Sequence, residues 1–137
     1  MKVLFISSGK GGSVGEVVKN QAESLIRTGI DIDFFIIKPG LAGYLSAIPA
    51  IRRAFIGSDY SLAHAHYSLS AFSASLAGCS PLVVSLMGSD AFMPWIYRAS
   101  AKYFNNYRWD CTIVKTVQMK EHLKLTNAHV IPNGVDT

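Results

Sequence analysis

Lys2-Val3-Leu4-Phe5-Ile6-Ser7-Ser8-Gly9-Lys10-Gly11-Gly12-Ser13-Val14-Gly15 is the stretch whose reading decides the fold. Lys2 to Ser7 is a short, nearly continuous apolar run closed by Ser and Gly, the pattern of a strand buried on both faces of a parallel sheet. After the loop Ser8 to Gly15, Glu16 to Thr28 puts Val18, Ala22, Leu25 and Ile26 at helical spacing. Lys19, Glu23 and Arg27 fall elsewhere on that helix, and Gly29 closes it. Strand, glycine loop and helix follow one another, and the rest of the chain repeats the unit.

Ile32 to Ile37 is β-branched and aromatic, as a second strand requires, and Pro39-Gly40 ends it. Leu41 to Phe55 reads as a helix, Leu62 to His66 as a strand, Ser70 to Ala77 as a helix of small residues, and Leu82 to Leu86 as a strand. A helical region from about Ile96 to Tyr107 precedes a fifth strand, Thr112 to Lys115. Val117 to Leu125 is a last helix, and His129 to Ile131 a short strand before the turn Pro132-Asn133-Gly134. Alternation of this kind brings each strand back parallel to the one before, and right-handed crossovers then give an α/β, Rossmann-like doubly wound parallel sheet. Ligands of such sheets collect beyond the carboxyl ends of the strands, so the loops after the first, third and fourth strands are where a site is expected.

The 137 residues suffice for one domain with a core. Half are hydrophobic and 16% are charged, a globular balance. Thirteen basic residues against nine acidic ones leave +4, a mild and scattered excess that suits an anionic ligand and argues against nucleic acid. Cys79 and Cys111 stand too far apart for a metal-ligand pair or a redox motif and read as small buried residues in a reducing compartment. Ser7, Ser8 and Lys10 follow the first apolar run too soon for a signal peptide, and no run reaches the roughly eighteen apolar residues that a membrane span needs. A cytoplasmic location is the expectation.

The glycine loop leads into a helix whose first turn has unpaired N–H groups and the positive end of the dipole, where an anion can sit. Glycines let the backbone approach a phosphate, and Ser13 adds a hydroxyl. A tight turn with nothing bound is the plain alternative. Gly9-Lys10-Gly11-Gly12 is like a variant ATPase phosphate loop, but Gly15-Glu16-Val17 stands where Gly-Lys-Ser or Gly-Lys-Thr would be needed. Gly9, Gly11 and Gly15 miss the dinucleotide spacing by one, and Ile37-Lys38-Pro39 offers no acid for a ribose, which argues against a nicotinamide or flavin cofactor.

Three further stretches carry chemistry in order along the chain: Ala63-His64-Ala65-His66-Tyr67, Ser85-Leu86-Met87-Gly88-Ser89-Asp90, and Val130-Ile131-Pro132-Asn133-Gly134-Val135-Asp136. Together with the glycine loop they resemble the N-terminal domain of the family 4 retaining glycosyltransferases, over nearly the whole chain. The resemblance implies the GT-B fold, two Rossmann-like lobes facing across a cleft, of which 1–137 would be the N-terminal, acceptor-side lobe with the donor-binding lobe absent. It implies that Gly11, Gly12 and Ser13 face the donor diphosphate. It places His66, Gly88, Ser89 and Asp90 on the acceptor side, and Pro132, Asn133 and Gly134 at the passage to the second lobe. The family's His, which reaches toward the reacting sugar, is replaced by Met87, whose thioether can neither donate a hydrogen bond nor carry charge. Packing at a strand end is the alternative for His66 and is favoured for His64, expected on the opposite side of the strand. Asp90, directly ahead of a helix, suits an N-cap as well as an acceptor hydroxyl.

The implied activity is transfer of a sugar from a nucleotide-diphosphate sugar to a saccharide or lipid-linked acceptor, with no cofactor and no metal, and with this lobe inactive alone. A free-standing module binding a phosphate-bearing ligand or a partner protein is the rival reading. Leu41 to Phe55, with Arg52-Arg53, and the aromatic stretch Phe92 to Tyr107 suggest peripheral contact with the inner membrane face; packing on the sheet or against the second lobe are the alternatives.

Overall fold

The computed structural model describes residues 1–8, 16–38, 40–86, 99–100, 102–105, 108–114, 117–123 and 128–130. Its elements are β1 (Lys2–Ser8), α1 (Glu16–Arg27), β2 (Asp31–Ile37), α2 (Leu41–Ile56), β3 (Leu62–His66), α3 (Ser68–Leu76), β4 (Leu82–Ser85), α4 (helical residues at 99–100 and 102–105), β5 (Cys111–Val114), α5 (Val117–Leu123) and β6 (His129–Val130). The strands form a six-stranded sheet in the order β2-β1-β3-β4-β5-β6, every pair parallel.

Pleating divides β1 between two cores. Leu4 and Ile6 join Ala47 and Ile51 of α2, Ala71 and Ala74 of α3, and Ala63, Ala65, Leu82 and Val84 of the neighbouring strands. Val3 and Phe5 point the other way, onto Val18 and Ala22 of α1. The partition follows from handedness: the step from β1 to β2 runs toward one edge and all later steps toward the other, so right-handed crossovers put α1 on one face and α2 and α3 on the opposite one. Of the expected α1 stripe, Val18, Ala22 and Leu25 face the core, whereas Ile26 is 48% exposed. Eight residues at 100° each carry Ile26 about 80° past Val18, off the buried line.

Small residues set the spacing on the α2–α3 face. Ala71 and Ala74 let α3 lie close to the sheet, and Ser73 Oγ donates to the Tyr44 carbonyl of α2 at 3.0 Å. Gly43 allows the first turn of α2 to meet the chain just past β2, since a Cβ there would collide with the Lys38 carbonyl oxygen. One part of the aromatic stretch also goes inward. Phe104 of α4 packs on Phe72 and Trp109, with ring centres 5.0 and 6.4 Å away, and Trp109 Nε1 donates to Ser75 Oγ. Tyr103 beside it stays 58% exposed. Cys79 is buried, which pushes its thiol up to about 11, and Cys111 is half-buried.

Candidate functional site

The strand order reverses between β1 and β3. From β1 the chain steps outward to β2, then crosses back over β1 to β3 and continues to β4. At such a reversal the connections leaving the carboxyl ends of two adjacent strands part in opposite directions and open a crevice. Here the adjacent ends are Ser8 of β1 and His66 of β3, with Ser85 of β4 beside them.

That end of the sheet is polar inside. His66 pairs in register with Ser85, and the β1–β3 register, continued one residue past Ile6 and Ala65, brings Ser7 level with His66. Ser7, His66 and Ser85 are all buried, His66 and Ser85 completely. Interior strands of a parallel sheet ordinarily carry Val, Ile or Leu, and a buried polar group costs free energy unless it is hydrogen-bonded. Ser85 Oγ and His64 Nε2 are 2.7 Å apart, in a bond the hydroxyl donates when Nε2 is unprotonated.

His64 does not lie across the strand from His66. The two rings stack with centres 4.4 Å apart, both against Phe5, at 4.9 and 4.8 Å. Side chains two apart on a strand share a face, so the α1 face carries Phe5, His64, His66 and Ser85 together. His64 is packed and hydrogen-bonded as expected, but on the side of the site.

Tyr67, not among the residues singled out from sequence, turns the chain from β3 into α3. Its φ of 73° and ψ of 153° lie in a region that residues with a Cβ seldom enter. Two backbone bonds hold it there: its N–H donates to the Ser85 carbonyl at 2.9 Å, and its carbonyl accepts from Ala71 N–H at 3.1 Å. The ring packs on the Val3, Phe5, Val18 and Ala22 cluster of the α1 face. The helix beyond begins at Ser68, two residues before the sequence reading, and Ser70 in its first turn is wholly buried.

Gly11, Gly12, Ser13, Met87, Gly88, Ser89, Asp90, Pro132, Asn133 and Gly134 lie outside the described residues. What flanks them is placed. Ser8 and Glu16 bracket the glycine loop at the reversal, and Leu86, just before Met87, is buried with its N–H donating to the Ile113 carbonyl at 2.8 Å. Among the described residues no three His, Cys, Asp or Glu come together as metal ligands.

Comparison with solved structures finds the same architecture. A sucrose-phosphate synthase from Thermosynechococcus elongatus superposes with a TM-score of 0.75 at 16% identity, covering 99% of this chain and 91% of the other. HepE of Anabaena, solved with UDP-glucose and with UDP, superposes with a TM-score of 0.59 in each case at 17% identity. This chain spans 44% and 45% of those two HepE chains. At these identities the likeness is one of fold. No curated protein matches the chain in sequence. The model of the family described as Glycosyltransferase Family 4 matches residues 2–137, and with the doubly wound sheet and its reversal at β1 and β3 this establishes that the chain belongs to that family, as a Rossmann-like glycosyltransferase domain of GT-B type.

Proposed function

We propose that this domain is the acceptor-side lobe of a retaining glycosyltransferase that moves a sugar from a nucleotide-diphosphate sugar onto a saccharide or lipid-linked acceptor. The observation that carries the reading is the reversal of strand order at β1 and β3, with the glycine loop leaving β1 there and a buried polar row, Ser7, His66 and Ser85, beneath. HepE's complexes with UDP-glucose and UDP support a nucleotide sugar as donor. In this reading the loop of Gly11, Gly12 and Ser13 faces the diphosphate, while Gly88, Ser89 and Asp90, with His66 below, serve the acceptor. Pro132, Asn133 and Gly134 lead into a second lobe. Transfer requires both substrates to be held and the leaving diphosphate to be neutralised, so one wall of the cleft is inactive alone.

In the complete protein Gly12→Asp puts a carboxylate where the diphosphate should lie and is expected to abolish transfer with the fold intact. Undiminished turnover would remove the loop from the site. Met87→His restores the family's usual residue and should change rate or donor preference; no change would place position 87 outside the reacting centre.

The lipid-linked option has its own support. Leu45 and Ile56 of α2 are 58% and 62% exposed, beside the exposed Arg52 and Arg53, and 34–58 contains no acidic residue. An apolar helix face edged with cations and free of acids suits an anionic lipid surface. Co-sedimentation with vesicles containing phosphatidylglycerol, lost in Arg52→Glu/Arg53→Glu, tests it; equal binding by the variant would count against it.

A further inference from the structure

The pleat of β3 puts Ala63 and Ala65 on the α2–α3 face and His64 and His66 on the α1 face. One more extended residue would send Tyr67 back to the α2–α3 side. Its ring is found instead on the α1 face, packed against the cluster to which Phe5, Val18 and Ala22 belong, and the left-handed backbone at φ 73° is what turns it there. A glycine could make the turn without strain but would bring no ring. A conformation that costs a non-glycine residue free energy persists only where its surroundings over-determine it. Here they do so through Ser85, whose carbonyl takes the Tyr67 N–H while its hydroxyl bonds His64. The ring thus packs, from the carboxyl end of β3, against the cluster that Val18 and Ala22 of α1 form with β1.

We propose that Tyr67 is a positioning residue. Its strained turn lodges the ring against the cluster that seats α1 on the sheet and so holds that helix in fixed relation to the sheet's reversal, with the N–H groups of its first turn set for the donor diphosphate. The proposal rests on the transferase reading above for the identity of the ligand, but not for the placement of the helix.

The test uses the complete protein carrying Tyr67→Phe, Tyr67→Ala or Tyr67→Gly, with UDP-glucose as the donor probe. Tyr67→Phe keeps the ring and should keep the KM for UDP-glucose within about twofold. Tyr67→Ala and Tyr67→Gly should raise it about tenfold, with kcat per folded molecule little changed, because a misplaced binding element weakens the ground-state complex. A purely structural role would lower the folded fraction and leave KM alone. Tyr67→Gly relieves the backbone while removing the ring, so it stands in if Tyr67→Ala does not fold. Wild-type KM in Tyr67→Gly overturns the proposal, as does a Tyr67→Phe defect equal to that of Tyr67→Ala, which would mean that the hydroxyl touches substrate. Amide hydrogen exchange gives a readout that needs no donor: the hydrogen-bonded amides of residues 20–24 in α1 should exchange at least about tenfold faster in Tyr67→Gly than in wild type, with α2 unaffected. Unchanged exchange overturns the proposal. Full transfer by Gly12→Asp, in contrast, would sink the transferase reading of the loop and leave the exchange result standing.

Discussion

The two ends of the sheet hold polar side chains in opposite circumstances. At the amino end Lys2, Asp33 and Tyr60 meet at the surface. The Lys2 ammonium is 3.8 Å from Asp33 Oδ2 and 4.8 Å from the centre of the Tyr60 ring, and the Tyr60 hydroxyl donates to the same Asp33 oxygen at 2.8 Å. At the carboxyl end Ser7, His64, His66 and Ser85 are closed off from water. Charges in water interact weakly, and the amino-end cluster serves mainly to mark β2, an edge strand with exposed Asp31 and Asp33, as unsuitable for pairing with another chain. Burial raises what the carboxyl end has at stake, since each polar group there must keep its partner. That cost is borne beside the reversal of strand order, at the end of the sheet where ligands of doubly wound folds collect.

If that contrast is right, substitutions should hurt far more at the carboxyl end. The largest loss is expected from Gly43→Ala, in α2 beside the end of β2, because the new methyl would collide with the Lys38 carbonyl, a backbone atom that cannot swing aside. Thermal or denaturant unfolding should show about 3 kcal/mol of destabilisation. A loss below about 1 kcal/mol would mean that the start of α2 adapts. Ser85→Ala comes next: it takes the hydroxyl from His64 Nε2 inside the core, at about 2 kcal/mol. A neutral result would make the buried row no more demanding than the surface cluster and would break the comparison.

At the amino end Asp33→Asn should change stability by no more than about 0.5 kcal/mol. A loss as large as that of Ser85→Ala would equalise the two ends. The finest effect is on titration. The Tyr60 phenol is pushed up from 10.0 to about 12, by burial first and then by the Asp33 carboxylate, which accepts its hydrogen bond and whose charge opposes ionisation. A folded value above the unfolded one means that this contribution is whole below about pH 10 and fades as pH rises toward about 12. Asp33→Asn should move the phenol back toward 10 in a spectrophotometric titration; an unmoved curve would leave burial as the sole cause.

Much of this was legible in the residues. The apolar runs at Lys2 to Ser7, Leu62 to His66 and Leu82 to Leu86 lie within one residue of strands, and Leu41 opens α2 as read, because periodicity and glycine or proline breaks are local signals. The shared face of His64 and His66 was also legible, since it follows from a strand's period of two; the expectation that separated them misapplied that rule. Ile26 failed because a helical stripe read from spacing alone is wider than the one the sheet covers. Phe104 could not be assigned between core and surface, since its aromatic neighbours Phe72 and Trp109 come from other elements.

By itself, then, the sequence determined an alternating α/β chain and a parallel sheet, and with them where a site is to be sought, beyond the carboxyl ends of the first, third and fourth strands. The tertiary structure alone decided that β1 and β3 lie side by side, that Ser85 reaches His64 across 21 residues, and that Tyr67 turns its ring toward α1. The reason is physical. Strand and helix identity depend on preferences spread over neighbouring residues, whereas strand order and a left-handed tyrosine are imposed by partners distant in the chain, against what the local residue would choose.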